Sequence, residues 1–351
     1  MPLITNDAVV LGILIAILAG IFITAKSEHP FWRKFYTYIP ALLLCYFIPS
    51  VFNSLGIISA QESNLYYMAS RYLLPASLVL LTLSIDFKAI LNLGPKAVIM
   101  FLAATIGIVI GGPIAILLVG SFNPDIIAGE GANEVWRGLS TVAGSWIGGG
   151  ANQTAMFEVF QPSSTLFSAM VTVDIIVANI WMAFLLYGAG ISERVDDWFK
   201  ADSSAINELK NKVEAYRANL ARIPTFNDIV TFLAVAFGVT AIGHLLADII
   251  APTIGNNFPA LAKFSLDSSF FWLIVIATSL GFGASFTNLR KLEGAGASKF
   301  GSLFIYILVT TIGMQMDVLA IFKEPGFFLI GIIWILIHVG ILLSVGKLIK
   351  A

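Results

Sequence analysis

Two places in this sequence hold residues that could do chemistry in an apolar setting. The first is the segment from Trp136 to Phe160, WRGLSTVAGSWIGGGANQTAMFEVF. At its centre, Gly148-Gly149-Gly150-Ala151-Asn152-Gln153-Thr154 sets three glycines and an alanine before two amides and a hydroxyl. Each glycine costs about 1 kcal/mol of helicity relative to alanine, so this is a poor lipid-facing helix. Non-helical backbone at membrane depth is tolerated only where it is buried or lines a wet cavity. There its amides and carbonyls can bind ions or polar solutes, and half-helix N-termini favour anions. Ser145, Gly148, Gly149, Gly150, Asn152, Gln153 and Thr154 are therefore the candidate substrate-binding residues. The plainer alternative is a surface of small residues for close helix packing.

The second place is Asp174. It lies ten residues into the apolar run 164–191, with no other charge between Glu158 and Glu193. A carboxylate at the bilayer centre is costly unless paired or wetted, and so reads as functional by default. Thr172 and Asn179 accompany it. These three form the candidate ion-coupling set, for Na⁺ or H⁺, against the alternative of a structural hydrogen-bonded acid.

The remaining ionisable groups read as structural. His244 and Asp248, at i and i+4, can touch on one helix face, as a structural pair near the helix end or, alternatively, as a proton relay. His338 reads as a satisfied packing residue, and Arg71 as a side chain that snorkels to the interface. Asp86 and Asp317 sit at span ends. Three histidines without an HExxH spacing and a lone Cys45 give neither a zinc site nor a disulfide framework. Ser145 and Thr154 have no histidine nearby in sequence, so no catalytic residues, no metal and no cofactor are assigned, and an enzyme is the weakest reading.

Such residues need elements that hold them in lipid, and the composition supplies these. The chain has 351 residues, 58% hydrophobic and only 12% charged, with a mean hydropathy of +0.89. A soluble domain carries about 25% charged residues, so most of this chain must face lipid or other apolar helices. The formal net charge of −1 argues against nucleic-acid binding through a basic face. Met1 to Asp7 contains no Lys or Arg, which a cleavable signal needs, so 7–25 reads as a permanent span. Further apolar runs fall at 35–54, 65–85, 97–120, 164–191, 228–250, 267–286, 299–316 and 326–347, making nine spans. Period-2 alternation is absent, and the expected class is an all-α, polytopic membrane protein.

Charge decides whether 136–160 also crosses. If it dips in and returns and the N-terminus is outside, 16 Lys and Arg lie on the cytoplasmic side. Only Arg71, Arg137, Lys263 and Lys323 oppose them. A full crossing gives at best 13 against 7. The segment therefore reads as re-entrant.

Internal similarity points to an inverted repeat. Thr5-Asn6-Asp7 and Phe226-Asn227-Asp228 each open a span. LVLLTLSIDFKAILNLGP (78–95) is similar to YILVTTIGMQMDVLAIFKEP (306–325), with Asp86 on Asp317 and Pro95 on Pro325 after a one-residue gap. The expected organisation is a first repeat at 1–192 with five spans and the re-entrant segment. A cytoplasmic amphipathic linker follows at 193–225, then a second repeat at 226–351. That second half shows four spans and reads as incomplete at its C-terminal end. Within the linker, Ile206, Leu209, Val213, Tyr216 and Leu220 keep helical spacing.

GSWIGGGANQTAM (144–156) with LTLSIDFKAI (81–90) resembles the YjcL-like family of uncharacterised bacterial integral membrane proteins, bearing domain of unknown function 819. The resemblance covers nearly the whole chain and implies a multi-pass protein of the bacterial inner membrane. More distantly, the layout is similar to the sodium-coupled glutamate and citrate symporters, with two inverted five-span halves and a Gly-rich re-entrant loop before each fifth span. The short TLSIDF motif is also similar to one in the bile-acid symporter family. These relatives imply a homodimeric, ion-coupled transporter of a small organic anion. A structural or partner-binding membrane protein is the rival reading, and an intramembrane enzyme comes last.

Overall fold

The computed structural model describes residues 2–85, 87, 94–199, 223–264, 266–316 and 325–350. Among them the regular elements are helices, as the composition requires; the extended structure is an isolated bridge between Ile4 and Ile58. Among the described residues six helices are long and apolar enough to cross a bilayer: Asp7–Ala25, Pro95–Phe122, Ser164–Met182, Phe226–Asn257, Ala297–Gln315 and Gly326–Ile349. Each matches one of the nine expected runs.

The other three runs depart from simple spans, each for a local reason. The run 35–54 is broken into Pro30–Tyr38 and Ala41–Ser54, with a bend of 90°. Ile39 precedes Pro40 and is extended, at φ −119° and ψ 101°, because a residue before proline is pushed out of the helical region. The shorter piece carries Phe31, Trp32, Phe35 and Tyr36 beside Arg33 and Lys34, the make-up of a helix lying at the membrane surface. The run 65–85 is helical over Leu65–Met68 and Leu74–Leu83, with a π turn at Ala69–Leu73 between them. In the run 267–286, Ser269–Ala284 has only 16 residues. At 1.5 Å per residue that is about 24 Å, short of a hydrocarbon core of roughly 30 Å. It then bends by 96° into the 3₁₀ segment Asn288–Ala295.

Helix starts follow the capping rules. Asn6 accepts from the amides of Ala8 and Val9, and Thr225 and Asp228 complete a capping box. Asp7 and Asp228 thus both lie in a first helical turn, though different residues provide the cap. Pro95 is the first helical residue of its element, and Pro325 immediately precedes its own.

The chain forms two compact units that cut across the sequence halves. The first comprises Met1–Ser84, Glu158–Phe160 and Ile223–Ile321. Its core joins Ala76, Leu80 and Leu83 to Phe232 and Ala236. Close packing is clearest at Gly313, where a Cβ would stand 2.3 Å from the Tyr46 carbonyl oxygen. The Ser50 hydroxyl donates to the Met316 carbonyl at 3.1 Å nearby.

The second unit comprises Ile85–Phe157, Gln161–Arg222 and Phe322–Ala351. Its core gathers Leu139, Val142, Leu166, Met170, Val173 and Trp334. Gly111 and Gly112 let the Pro95–Phe122 helix approach Trp334, whose Nε1 donates to the Ile108 carbonyl at 2.8 Å. His338 Nδ1 lies 3.1 Å from the Ala104 carbonyl, so this histidine is the packing residue expected. Phe101, Leu117 and Leu245 are left outward-facing, as lipid contact requires. The expected amphipathic helix of the linker, and both Asp86 and Asp317, lie outside the described residues.

Candidate functional site

The Gly-rich segment folds as a helical hairpin. Its first arm, Val135–Gly148, stops at Gly149, which has φ +84° and ψ −172°. That backbone region is open to glycine and strained for any residue with a Cβ. The second arm, Gly150–Phe160, returns beside the first. The arms are so close that a Cβ on Gly144 would stand 2.9 Å from the Asn152 carbonyl oxygen and 2.7 Å from Met156 Cγ. Hydrogen bonds close the base. The Ser163 amide donates to the Ala132 carbonyl at 2.7 Å, and the Ser163 hydroxyl donates to Asn133 Oδ1 at 2.6 Å. Entry and exit therefore lie at one level. The 14-residue first arm is about 21 Å long, too short to cross. The segment is therefore a helical hairpin and not one straight span.

The tip of this hairpin meets Asp174. Gln153 Nε2 donates to Asp174 Oδ2 at 2.9 Å. Gln153 is 1% exposed and Asp174 5%, so the carboxylate is turned away from lipid. Ser145 and Trp146, on the last turn of the first arm, also direct their donors at it. The buried Trp146 Nε1 does so without completing a hydrogen bond. The Ser164–Gly190 helix that carries Asp174 is locked against the first arm at Gly138, where a Cβ would meet Met170 and Leu166 within 3 Å. Phe157 and Phe167 pack 4.4 Å apart, ring to ring.

The expected residues divide clearly. Gln153 and Asp174 are brought together, and Ser145 faces them. Gly149 makes the turn, while Gly148 lies directly against the amide of Asn152. Thr154 donates to the Gly150 carbonyl at 2.8 Å and closes the first turn of the second arm. Thr172 and Asn179 turn back on their own helix, donating to the carbonyls of Ser168 and Ile175 at 3.1 and 2.7 Å. Among the described residues, no group of three or more His, Cys, Asp and Glu is placed to hold a metal ion.

A second buried carboxylate was not anticipated. Glu158, 4% exposed, accepts a hydrogen bond on Oε1 from the Tyr66 hydroxyl. Arg71 Nη2 lies 3.6 Å from its Oε2. Arg71 belongs to the π turn and places its guanidinium 4.4 Å over the Phe270 ring. Arg71, expected to snorkel, has a buried carboxylate and an aromatic face beside its guanidinium. His244 does not form an ion pair with Asp248, because its Nε2 lies 2.9 Å from the Arg71 carbonyl, to which it donates when that nitrogen carries the proton. The available sequence signal was Glu158 itself, but its tyrosine partner is 92 residues away.

An all-helical, multi-pass protein of the cell membrane, carrying a helical hairpin turned at Gly149, is the class that these elements define. A family model described as "Protein of unknown function (DUF819)" matches residues 12–351, and the chain belongs to that family. It is 25% identical over 351 residues to the uncharacterized membrane protein YjcL of Bacillus subtilis (strain 168), covering 99% of this chain and 83% of that protein. No solved structure matches it.

Proposed function

We propose that this protein is a secondary transporter that uses a Na⁺ or H⁺ gradient to move a small, polar, anionic organic solute across the cell membrane. The observation that carries the reading is the buried Asp174 carboxylate, bonded to Gln153 on a re-entrant hairpin. An acid inside a span that bonds the tip of a broken helix is the arrangement expected where an ion pathway meets a solute site. The substrate surface is the hairpin tip, with Ser145, Gln153 and the backbone around Gly149. Asp174 is the coupling group, and the second arm's N-terminus favours negative charge.

The packing of repeat-equivalent spans supports an inverted repeat. In the first unit Gly301 of the eighth run lies against Ser77 and Leu80 of the third. In the second unit Trp334 of the ninth run lies against Gly111 of the fourth. Pairing of equivalent spans is what a pseudo-two-fold axis between the halves produces. The sodium-coupled glutamate and citrate symporters share such a layout, and by that analogy the protein works as a homodimer and catalyses no reaction.

The test is uptake into proteoliposomes of labelled succinate, citrate and glutamate, with a Na⁺ gradient, a proton gradient, or neither. Gradient-driven accumulation by wild type and none by Asp174→Asn is the expected result. Full accumulation by Asp174→Asn would remove that residue from the mechanism, and no accumulation of any anion by wild type would remove the reading.

A further inference from the structure

Arg71 stands apart from the other basic side chains. It lies in the π turn Ala69–Leu73, inside the apolar run 65–85, with its side chain 26% exposed. A guanidinium at that place must be satisfied, and it has five N–H donors in a rigid planar fork. Its contacts are the Phe270 ring, 4.4 Å away, and Glu158 Oε2, 3.6 Å away. A separation of 3.6 Å is an ion pair but too long for a hydrogen bond. Glu158 already accepts its hydrogen bond from Tyr66. Among the described residues, then, the fork is charge-balanced but has no hydrogen-bond acceptor.

The surroundings hold this fork in place. The Phe270 face restrains the guanidinium plane by a cation–π contact. The π turn carries an irregular stretch of backbone, a feature that recurs at functional sites. His244 Nε2 secures it at the Arg71 carbonyl. A planar fork, restrained by an aromatic face, partly exposed and lacking acceptors among the described residues, matches an oxyanion bound through two parallel N–H···O bonds.

We propose that Arg71 is an oxyanion-binding residue that receives the carboxylate or phosphate of a ligand bidentately, with Phe270 as the platform. This deepens the transport reading, on which it rests only for the identity of the ligand as the transported anion. Glu158 acts as the internal competitor for the same cation, so removing its charge should strengthen binding.

The experiment uses the full chain in phosphatidylcholine nanodiscs, titrated with succinate, citrate and inorganic phosphate against chloride at matched ionic strength. Calorimetry gives affinity, and thermal unfolding gives the shift on saturation. Saturable binding of at least one probe is expected in wild type. Arg71→Lys keeps the charge but loses the fork, and should weaken binding at Arg71 about tenfold; Arg71→Gln should abolish that component while binding at the hairpin tip remains. Glu158→Gln should tighten binding severalfold. In a second arm, phosphatidylglycerol replaces part of the phosphatidylcholine. Arg71-dependent stabilisation seen only there assigns the site to a lipid headgroup phosphate rather than a soluble anion. Unchanged affinity in both Arg71 variants, or no Arg71-dependent response to any probe or lipid, overturns the proposal. Arg71-dependent binding without gradient-driven uptake would keep the site and remove the transport reading. Uptake that is insensitive to both Arg71 variants would do the reverse.

Discussion

Asp174 and Glu158 are two carboxylates, 5% and 4% exposed, that solve the same problem by different means. Asp174 is met by the neutral amide of Gln153, with no cation beside it among the described residues. Glu158 is met by a tyrosine hydroxyl and has Arg71 at 3.6 Å. A buried charge held by dipoles alone remains available to an arriving cation. A buried charge already balanced by an arginine is not, and there the arginine becomes the group of interest. The difference separates a cation-coupling role for the first carboxylate from an anion-binding role for the second one's partner.

The largest effect should come from the turn that brings Gln153 to Asp174. Gly149→Val places a β-branched side chain at φ +84°, at a strain of about 1–3 kcal/mol. It should abolish both anion binding at the hairpin and uptake, read by calorimetry and proteoliposome transport. Wild-type behaviour of this variant would dissolve the contrast, since the hairpin would not matter.

Asp174→Asn comes next. It preserves size and hydrogen-bonding capacity but removes the uncompensated charge, so insertion and thermal stability should be retained while accumulation falls to background. A downhill exchange assay, needing no gradient, sharpens this by separating lost coupling from lost binding.

Gln153→Ala should cost about 1–3 kcal/mol of stability, because a buried carboxylate loses a donor. Tyr66→Phe should cost less, about 1 kcal/mol, since Arg71 stays beside Glu158. Chemical denaturation in detergent measures both, and a reversed order would mean that the arginine contributes little to holding Glu158. The smallest effects are expected at Thr172→Val and Asn179→Ala. Both side chains bond their own helix backbone, so each should change stability and uptake only slightly, within about 0.5 kcal/mol. Loss of uptake in either would return it to the ion site.

Much of this was legible in one dimension because the bilayer imposes strong local constraints. The glycine run, Asp174 alone in a 27-residue helix and the lysine and arginine asymmetry each reflect a cost that lipid levies residue by residue. Helix ends were legible in the same way, from Asn6, Thr225, Pro95 and Pro325. The bends were harder. Pro40 marks one, but nothing in Ala69-Ser70-Arg71-Tyr72-Leu73 distinguishes a π turn from regular helix.

What the sequence determined by itself was the solvent of each segment: a high apolar fraction, a polar interruption, and one acid where acids are expensive. Which polar groups meet was decided only by tertiary structure. Gln153, just past the turn at Gly149, reaches Asp174, 21 residues away. Arg71 meets Glu158 and Phe270, both far away in sequence, because the chain folds them beside it. Helical periodicity records which face is apolar, but a contact across 92 residues leaves no mark on either local pattern. Only the packed chain brings such residues within bonding distance, and there geometry, not composition, selects the partner.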